Sequence, residues 1–549
     1  MKTKWRALVL VGALFLGGCA TMPTSGDPQA FEVAAPNTEP VEQLGFGPVR
    51  NSTPERIISD FLRASAAGST DDYLTAKKYL KDDLASSWNP RAGVLIYPTE
   101  QTPGLRLEMT GTGTATVYLE TEVTATLDEE GVLSPGQATT VELSFDLVRS
   151  VDDQWRISRM DDGVILSKAN FQAVYQAQQL YFLAPDQESL VPDPRWFPRR
   201  RLASHLVTGL LAGPSEQLAP AVYSALSGSL TLPTQGVEVD GQTVRVNMEG
   251  EVPGDRRTQE NISRQLSATL FQMTNVTEVV TQINSVLLPA TPDPFSASLE
   301  LDAAVALSDG AIAVSAGEGW SPVVPAELVG PDAKSPARAP IADGAIAWIQ
   351  DGISVWDGTE VHHVELATPT APSVDRWNWT WTSSGEASGV VAINSRGESV
   401  ELALPQGVST QIRKVVVSPD GVHLLVLVDG ADGLQAMNAV VVRDPLGAPQ
   451  SIDQIDLVSL AGAGLVDGDW AGSTQMVFLA GHGEEREVRI VALGGFAQVL
   501  GAPSDTIRVS AGGQAGRILL ETATGQYYSR SGGVWRSLEA RVSAISYAG

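Results

Sequence analysis

Apolar positions along this chain change period several times, and each change marks a different kind of element. Ala7 to Gly18 is apolar or small throughout, and Ala20 to about Arg50 is rich in Pro, Gly, Thr and Ser with no apolar period. The second stretch reads as a flexible tether. Ser52-Thr53-Pro54-Glu55 then supplies a hydroxyl cap, a proline for the first turn and an acid for the positive end of a helix. Ile57, Ile58, Phe61 and Leu62 follow at helical spacing, and Tyr73, Ala76, Lys77, Leu80 and Leu84 predict a second helix. Beyond them the period falls to two. Val117, Leu119, Thr121, Val123, Ala125 and Leu127 alternate with Tyr118, Glu120, Glu122 and Thr124. Val141, Leu143, Phe145 and Leu147 alternate likewise, and Trp155 and Ile157 open a further strand. These predict half-buried antiparallel sheet, so the first folded segment is α+β.

In order and pattern that segment resembles the cone-shaped folds related to nuclear transport factor 2. Such cones can hold a ligand or an acid-base pair, but the acids here fall mostly on the solvent phase of the strands, which points to a scaffold. From about Leu180 the pattern changes again. Leu180 to Leu183, a Pro185-Asp186 turn and Leu190-Val191-Pro192 predict two paired strands. Leu202, Leu206, Val207, Leu210 and Leu211 line one face of a helix stopped by Gly213-Pro214. Val237 and Val239 alternate into Asp240-Gly241, and Val244, Val246 and Met248 alternate out, a strong hairpin signal. Ile262, Leu266, Leu270 and Met273 mark another helix, and Val276 to Ile283 a closing strand. The run Leu210 to Ser215, then Leu230 and Pro233, then Val244-Arg245-Val246-Asn247, then Gln265 to Asn275-Val276, resembles the GerMN domain. Members usually show Val-Asp-Leu-Ser on the second hairpin strand, where this chain has Val246-Asn247-Met248-Glu249. The resemblance implies helices packed on a small sheet, no catalytic residues, and a binding or assembly role in the cell envelope.

From about Pro294 to Gly549 no helical period remains. Short apolar runs recur and end in Asp-Gly at Asp309-Gly310, Asp343-Gly344, Asp420-Gly421 and Asp467-Gly468, each read as a strand end with another strand after it. Ser418-Pro419-Asp420-Gly421 is a turn common in propeller blades. A repeat of roughly 40–45 residues with four strands per unit predicts a β-propeller of five or six blades. A large β-sandwich array is the competing architecture.

The single cysteine, Cys19, changes the reading of the N-terminus. Lys2, Lys4 and Arg6 precede the apolar run, and Leu16-Gly17-Gly18-Cys19 closes it as a lipobox. The run is shorter than the ~20 residues a membrane span needs. The thiol would take a diacylglyceryl group and the freed amine a third chain, and two or more chains anchor a protein firmly. Cleavage by an ordinary signal peptidase, releasing a soluble protein, is the alternative. One cysteine excludes a disulfide framework and a thiolate zinc site. With 37 Lys and Arg against 64 Asp and Glu, the formal net charge is -27, so nucleic acid and anionic headgroups are repelled. Membrane attachment therefore rests on the lipid at Cys19.

Catalytic patterns are missing from the sequence. No lysine follows a glycine, so there is no phosphate-binding Walker motif, and neither His-Glu-x-x-His, Ser-x-x-Lys nor Gly-x-Ser-x-Gly occurs. The five histidines are His205, His362, His363, His423 and His482. His362 and His363 are adjacent and would point to opposite faces of a strand. His205 is expected at an exposed helix edge. Asp467-Gly468-Asp469 and the run 429–433 offer oxygens without a full calcium loop. No cofactor or metal is expected. Trp377-Asn378-Trp379-Thr380-Trp381 places three indoles at period two, on one face of one expected strand. They could form a sugar-binding platform, or plug the interface between blades.

Lipobox, cone-like segment, GerMN pattern and propeller, in that order, resemble one family, the LpqB lipoproteins of actinobacteria. The expected organisation is a signal peptide at 1–18, a lipidated tether at 19–50, an NTF2-like domain at 51–167, a GerMN domain at 168–290 and a β-propeller at 291–549. The resemblance implies a non-enzymatic protein on the extracytoplasmic face of the cell membrane. It implies as partner the extracytoplasmic region of a two-component sensor histidine kinase of the Mtr type, in control of cell-wall homeostasis and division. A cell-wall glycan-binding protein using Trp377, Trp379 and Trp381 is the alternative, and an envelope hydrolase a third reading.

Overall fold

The computed structural model describes residues 45–548 apart from 227, 296–298, 317–318, 386–388, 406–410, 432, 461–463, 483–484, 514–515, 532 and 539–541. Cys19, the leader and most of the tether lie outside the described residues. No helix among the described residues is long and apolar enough to cross a membrane.

Helix α1 (Pro54–Ala66) starts where its composition predicts: Thr53 Oγ1 accepts the Arg56 N–H at 3.3 Å and Pro54 occupies the first turn. Its face of Ile57, Ile58 and Phe61 is buried. The second expected helix, from Tyr73 to Leu84, is instead two short pieces, Leu74–Lys77 and Asp82–Ser87, with a further short piece at Gly68–Asp71 before them. Between Gly68–Asp71 and Leu74–Lys77 the chain reverses at Asp72 and Tyr73, both left-handed at φ 55° and 61°. That reversal turns the Tyr73 ring inward, over Gly68 and against Trp88 at 5.8 Å. Burying an aromatic ring outweighs continuing a helix.

Strands β1 (Gly93–Tyr97), β2 (Gly104–Gly111), β3 (Thr114–Asp128), β4 (Leu133–Arg149), β5 (Trp155–Arg159) and β6 (Val164–Ser167) form one sheet. Its order is β5-β4-β3-β1-β6, with β2 also on β3. Only β1 and β6 run parallel. Val117, Leu119, Thr121, Val123, Ala125 and Leu127 all point inward from β3, as their alternation predicts. Val117, Leu119, Ala125 and Leu127 pack in one cluster with Phe61 and with Phe171 of α2 (Lys168–Val174).

The second region begins with a ribbon of β7 (Tyr175–Leu183) and β8 (Leu190–Pro198), paired from Leu183↔Leu190 to Tyr175↔Pro198. Helix α3 (Leu202–Ala212) stops at Gly213, φ 101°. Strands β9 (Glu238–Asp240), β10 (Thr243–Met248), β11 (Glu278–Ile283) and β12 (Val286–Leu287) form a sheet in the order β12-β11-β10-β9, with β10 and β11 parallel. Helix α4 (Arg256–Leu270) is tied to the ribbon by buried amides. Gln265 donates to the Tyr181 carbonyl at 2.9 Å, and Thr269 accepts the Tyr181 N–H at 3.1 Å.

The described residues of the remaining chain form six four-stranded antiparallel sheets. Five are consecutive meanders, spanning 334–364, 373–403, 412–457, 465–502 and 506–538. The sixth combines Ala304–Ser308, Ala311–Ala316 and Gly319–Val324 with the C-terminal strand Ser543–Tyr547, which pairs beside Ala304–Ser308. The innermost strand of each sheet touches that of the next, all the way round. This closed ring is the architecture of a six-bladed propeller, sealed by strands from both ends of the domain. Asp309-Gly310, Asp343-Gly344 and Asp420-Gly421 are turns between strands, as read from sequence. Asp467-Gly468 is not: it lies within strand Leu465–Trp470. Asp467 bridges blades there, accepting from Lys414 Nζ at 2.8 Å and from the Val509 N–H at 2.9 Å, so its carboxylate serves the ring and not a turn.

Candidate functional site at the three-way junction

Strand β8 carries the residues that join all three regions. Arg195 is fully buried; it donates to Asp193 at 2.8 and 3.2 Å, to the Glu130 carbonyl at 2.9 Å and to the Gly213 carbonyl at 3.2 Å. Asp193 also accepts the Ser215 N–H at 2.8 Å. One guanidinium thus holds the tip of the β3–β4 hairpin and the end of α3. Next to it, Trp196 donates its backbone N–H to Gly131 and its indole N–H to Gly494 of the propeller, both at 2.7 Å. The indole packs on Phe171 at 4.9 Å and on Phe496 at 5.9 Å, and Lys168 Nζ lies 4.4 Å over the Phe496 ring. Each ring in this cluster comes from a different region.

A second contact fuses the propeller to the middle region. Val422 and Val440 belong to the same buried cluster as Leu206, Leu218 and Ala221, and Trp377 packs against it. Trp377 is held by a buried ion pair. Asp375 and Arg443 are both inaccessible and meet at 2.5 Å. Asp375 also accepts the Trp377 and Trp379 N–H groups and the Trp381 indole N–H, at 2.8 to 3.0 Å. Arg443 donates to the Gly421 and Gly447 carbonyls and lies 4.5 Å over the Trp377 ring. Burial pulls the Arg443 guanidinium below its ordinary range while Asp375 pushes it up. Every polar group of the pair is hydrogen-bonded, which is what makes a buried pair tolerable.

Between these contacts opens a recess of about 590 Å³, lined by residues of all three regions. Its wall is acidic, with Glu129, Glu130, Glu216 and Asp456, and Gln217 donates across it to Asp456 at 3.2 Å. His423 also lines it. The imidazole is buried against Trp470 at 5.7 Å, and neither ring nitrogen has a partner among the described residues. Burial lowers its pKa from 6.5, with Asp420 and Asp193 opposing, so the ring is neutral at neutral pH.

The three indoles singled out from sequence do not share one strand. Trp381 lies on strand Thr380–Ser383 and is fully buried, whereas Trp377 and Trp379 sit in the turn before it. Asn378, left-handed at φ 61°, breaks the alternation, and its carboxamide accepts the Ala345 N–H at 2.8 Å. His362 and His363 do diverge: His363 meets Ser354 at 3.3 Å and His362 meets Asp357 at 3.2 Å. Asp357, Glu360 and His362 bring three ligand-type atoms within 4.8 Å of one another. There Asp357 caps a turn through the Thr359 and Glu360 N–H groups, which hold its carboxyl well below the usual range. His205 is half-buried and faces a cleft beside Trp196, and is not at the exposed edge expected. Burial lowers its pKa. Arg195, Trp196, Asp375 and Arg443 were not singled out from sequence. The local signal was faint: Pro194-Arg195-Trp196-Phe197-Pro198 sets bulky side chains between prolines just past the expected return strand Leu190 to Pro192.

Consecutive stretches of the chain match three family models. Residues 47–172 match the LpqB lipoprotein N-terminal domain, 179–286 a sporulation and spore germination domain, and 307–544 the LpqB lipoprotein beta-propeller domain. The chain belongs to the LpqB lipoprotein family. The LpqB lipoprotein of Thermobifida fusca is 28% identical over 512 residues, covering 78% of this chain and 80% of that protein. That of Mycolicibacterium smegmatis is 26% identical, covering 82% of this chain and 73% of that one. That of Rhodococcus opacus is 30% identical over 279 residues, 48% of this chain and 45% of its own length. LpqB-family members are membrane-anchored, extracytoplasmic lipoproteins.

Proposed function

We propose that this LpqB-family protein is an accessory of a two-component sensor histidine kinase of the Mtr type, acting on that kinase's extracytoplasmic region in the control of cell-wall homeostasis and division. Cys19 carries the acyl anchor, residues 19–50 are the tether, and the NTF2-like cone at 51–167, the GerMN domain at 168–290 and the propeller at 291–549 are held out from the membrane as one body. The observation that carries this reading is the junction. Trp196, Arg195 and the shared cluster around Val422 and Val440 tie the three regions together, so force or binding at one is felt at the others. The acidic recess at their meeting point is suited to a basic segment of a protein partner. The burial of Trp381 favours this reading over glycan binding, because a fully covered indole has no face to offer a sugar.

The test is cross-linking of the tagged full chain in membranes, followed by identification of the captured proteins. A sensor kinase is expected, with its yield reduced several-fold in the Glu216→Gln/Asp456→Asn variant. Capture of no membrane protein overturns the proposal.

A further inference from the structure

The first region contains a cavity unrelated to the junction. It has a volume of about 210 Å³ and lies between α1 and the sheet, walled by Phe61, Leu62, Leu143, Phe145 and Met160. Ser65 of α1 also lines it. That side chain is buried, and its hydroxyl has no hydrogen-bond partner among the described residues. A serine within a helix ordinarily bonds back to the carbonyl one turn earlier; Ser65 does not. A buried polar atom left unsatisfied is uncommon and needs a reason. A lone water is a poor answer, since it needs two to four polar partners and this wall is largely aliphatic and aromatic. At the rim stand Asp161 and Asp162, both exposed, with Asp162 accepting the Asn89 N–H at 2.8 Å.

We propose that this cavity is a binding site for a small uncharged apolar molecule that carries one hydrogen-bonding group, which pairs with the Ser65 hydroxyl. The apolar wall favours a short hydrocarbon or aromatic body, by the same burial of apolar surface that fills engineered cavities of similar size. The two carboxylates at the rim disfavour an anionic head, so a fatty acid is excluded and a neutral alcohol of medium chain length fits.

The experiment uses the full chain in lipid nanodiscs, photolabelled with a medium-chain aliphatic alcohol bearing a diazirine and, separately, with its carboxylic-acid and alkane counterparts. Cross-linked peptides are mapped by mass spectrometry. Adducts are expected on the peptides containing Phe61 to Ser65, Leu143 to Phe145 and Met160, reduced several-fold by excess 1-octanol, and several-fold weaker with the acid. Leu143→Trp, which fills the space, should remove them, and Ser65→Ala should bring the alcohol down to the level of the alkane. If the unaltered protein gives no adduct on these peptides, or octanol fails to compete, the site does not exist. If the acid labels them as well as the alcohol, the neutral-head assignment is wrong.

Discussion

Arg443 and Asp375 show how a single residue can hold together a surface that its neighbours in sequence do not explain. They are 68 positions apart and both inaccessible. Arg443→Met leaves the Asp375 carboxylate buried without its counter-charge, which is expected to destabilise the fold by about 3–5 kcal/mol. Urea unfolding should show this, with part of the loss recovered when Asp375→Asn is added. His423 has a different signature. Its pKa in the folded state lies below the ordinary 6.5, so the unfolded chain binds the extra proton first and stability falls as pH drops through and below 6.5. The His423→Phe variant should lose that component, giving a flatter stability profile than the parent between neutral pH and mild acid. An unchanged profile means the ring does not titrate on unfolding.

Among the elements, the β3–β4 hairpin is the most informative. β3 alternates from Val117 to Leu127 and β4 from Val141 to Leu147, yet the hairpin's tip was silent in the sequence. Gly131, at φ 84°, lies where a Cβ would come within 2.7 Å of the Trp196 carbonyl oxygen. Gly131→Ala combines backbone strain with that contact and should cost on the order of 1–3 kcal/mol. Hydrogen exchange reads it directly: the Trp196 amide, bonded to the Gly131 carbonyl, should lose protection first. The indole turn teaches the converse. Trp377 to Trp381 has the period of a strand, but Asp375 accepts hydrogen bonds from two of its backbone N–H groups and folds most of it into a turn. Local alternation predicted the element, and a buried carboxylate overrode it.

At the scale of the molecule, closure of the propeller depends on its last strand. Ser543–Tyr547 completes the blade begun at Ala304, and Ser546 Oγ reaches the Pro336 carbonyl at 2.6 Å while the Tyr547 N–H reaches Ser510 at 3.0 Å. Removal of residues 543–549 opens the ring and exposes two strand edges. Calorimetry should then show an early, separate transition and gel filtration should show association, whereas the whole chain melts cooperatively because its regions share buried contacts.

The sequence by itself determined the elements that depend on near neighbours. It determined the capped start of α1, the inward face of β3, the Asp240-Gly241 hairpin, the stop at Gly213 and the repeated strands of a propeller, because period, caps and turn residues act over a few positions. It also specified the domain order that identifies the family. Only the tertiary structure decided the rest: six blades and their closing strand, the chain reversal at Asp72 and Tyr73, the mid-strand place of Asp467, and the assembly of Arg195, Trp196, Gly494 and Phe496 into one joint. Those depend on contacts between residues tens to hundreds of positions apart, where burial and hydrogen-bond satisfaction outweigh local preference and leave no periodic trace in the chain.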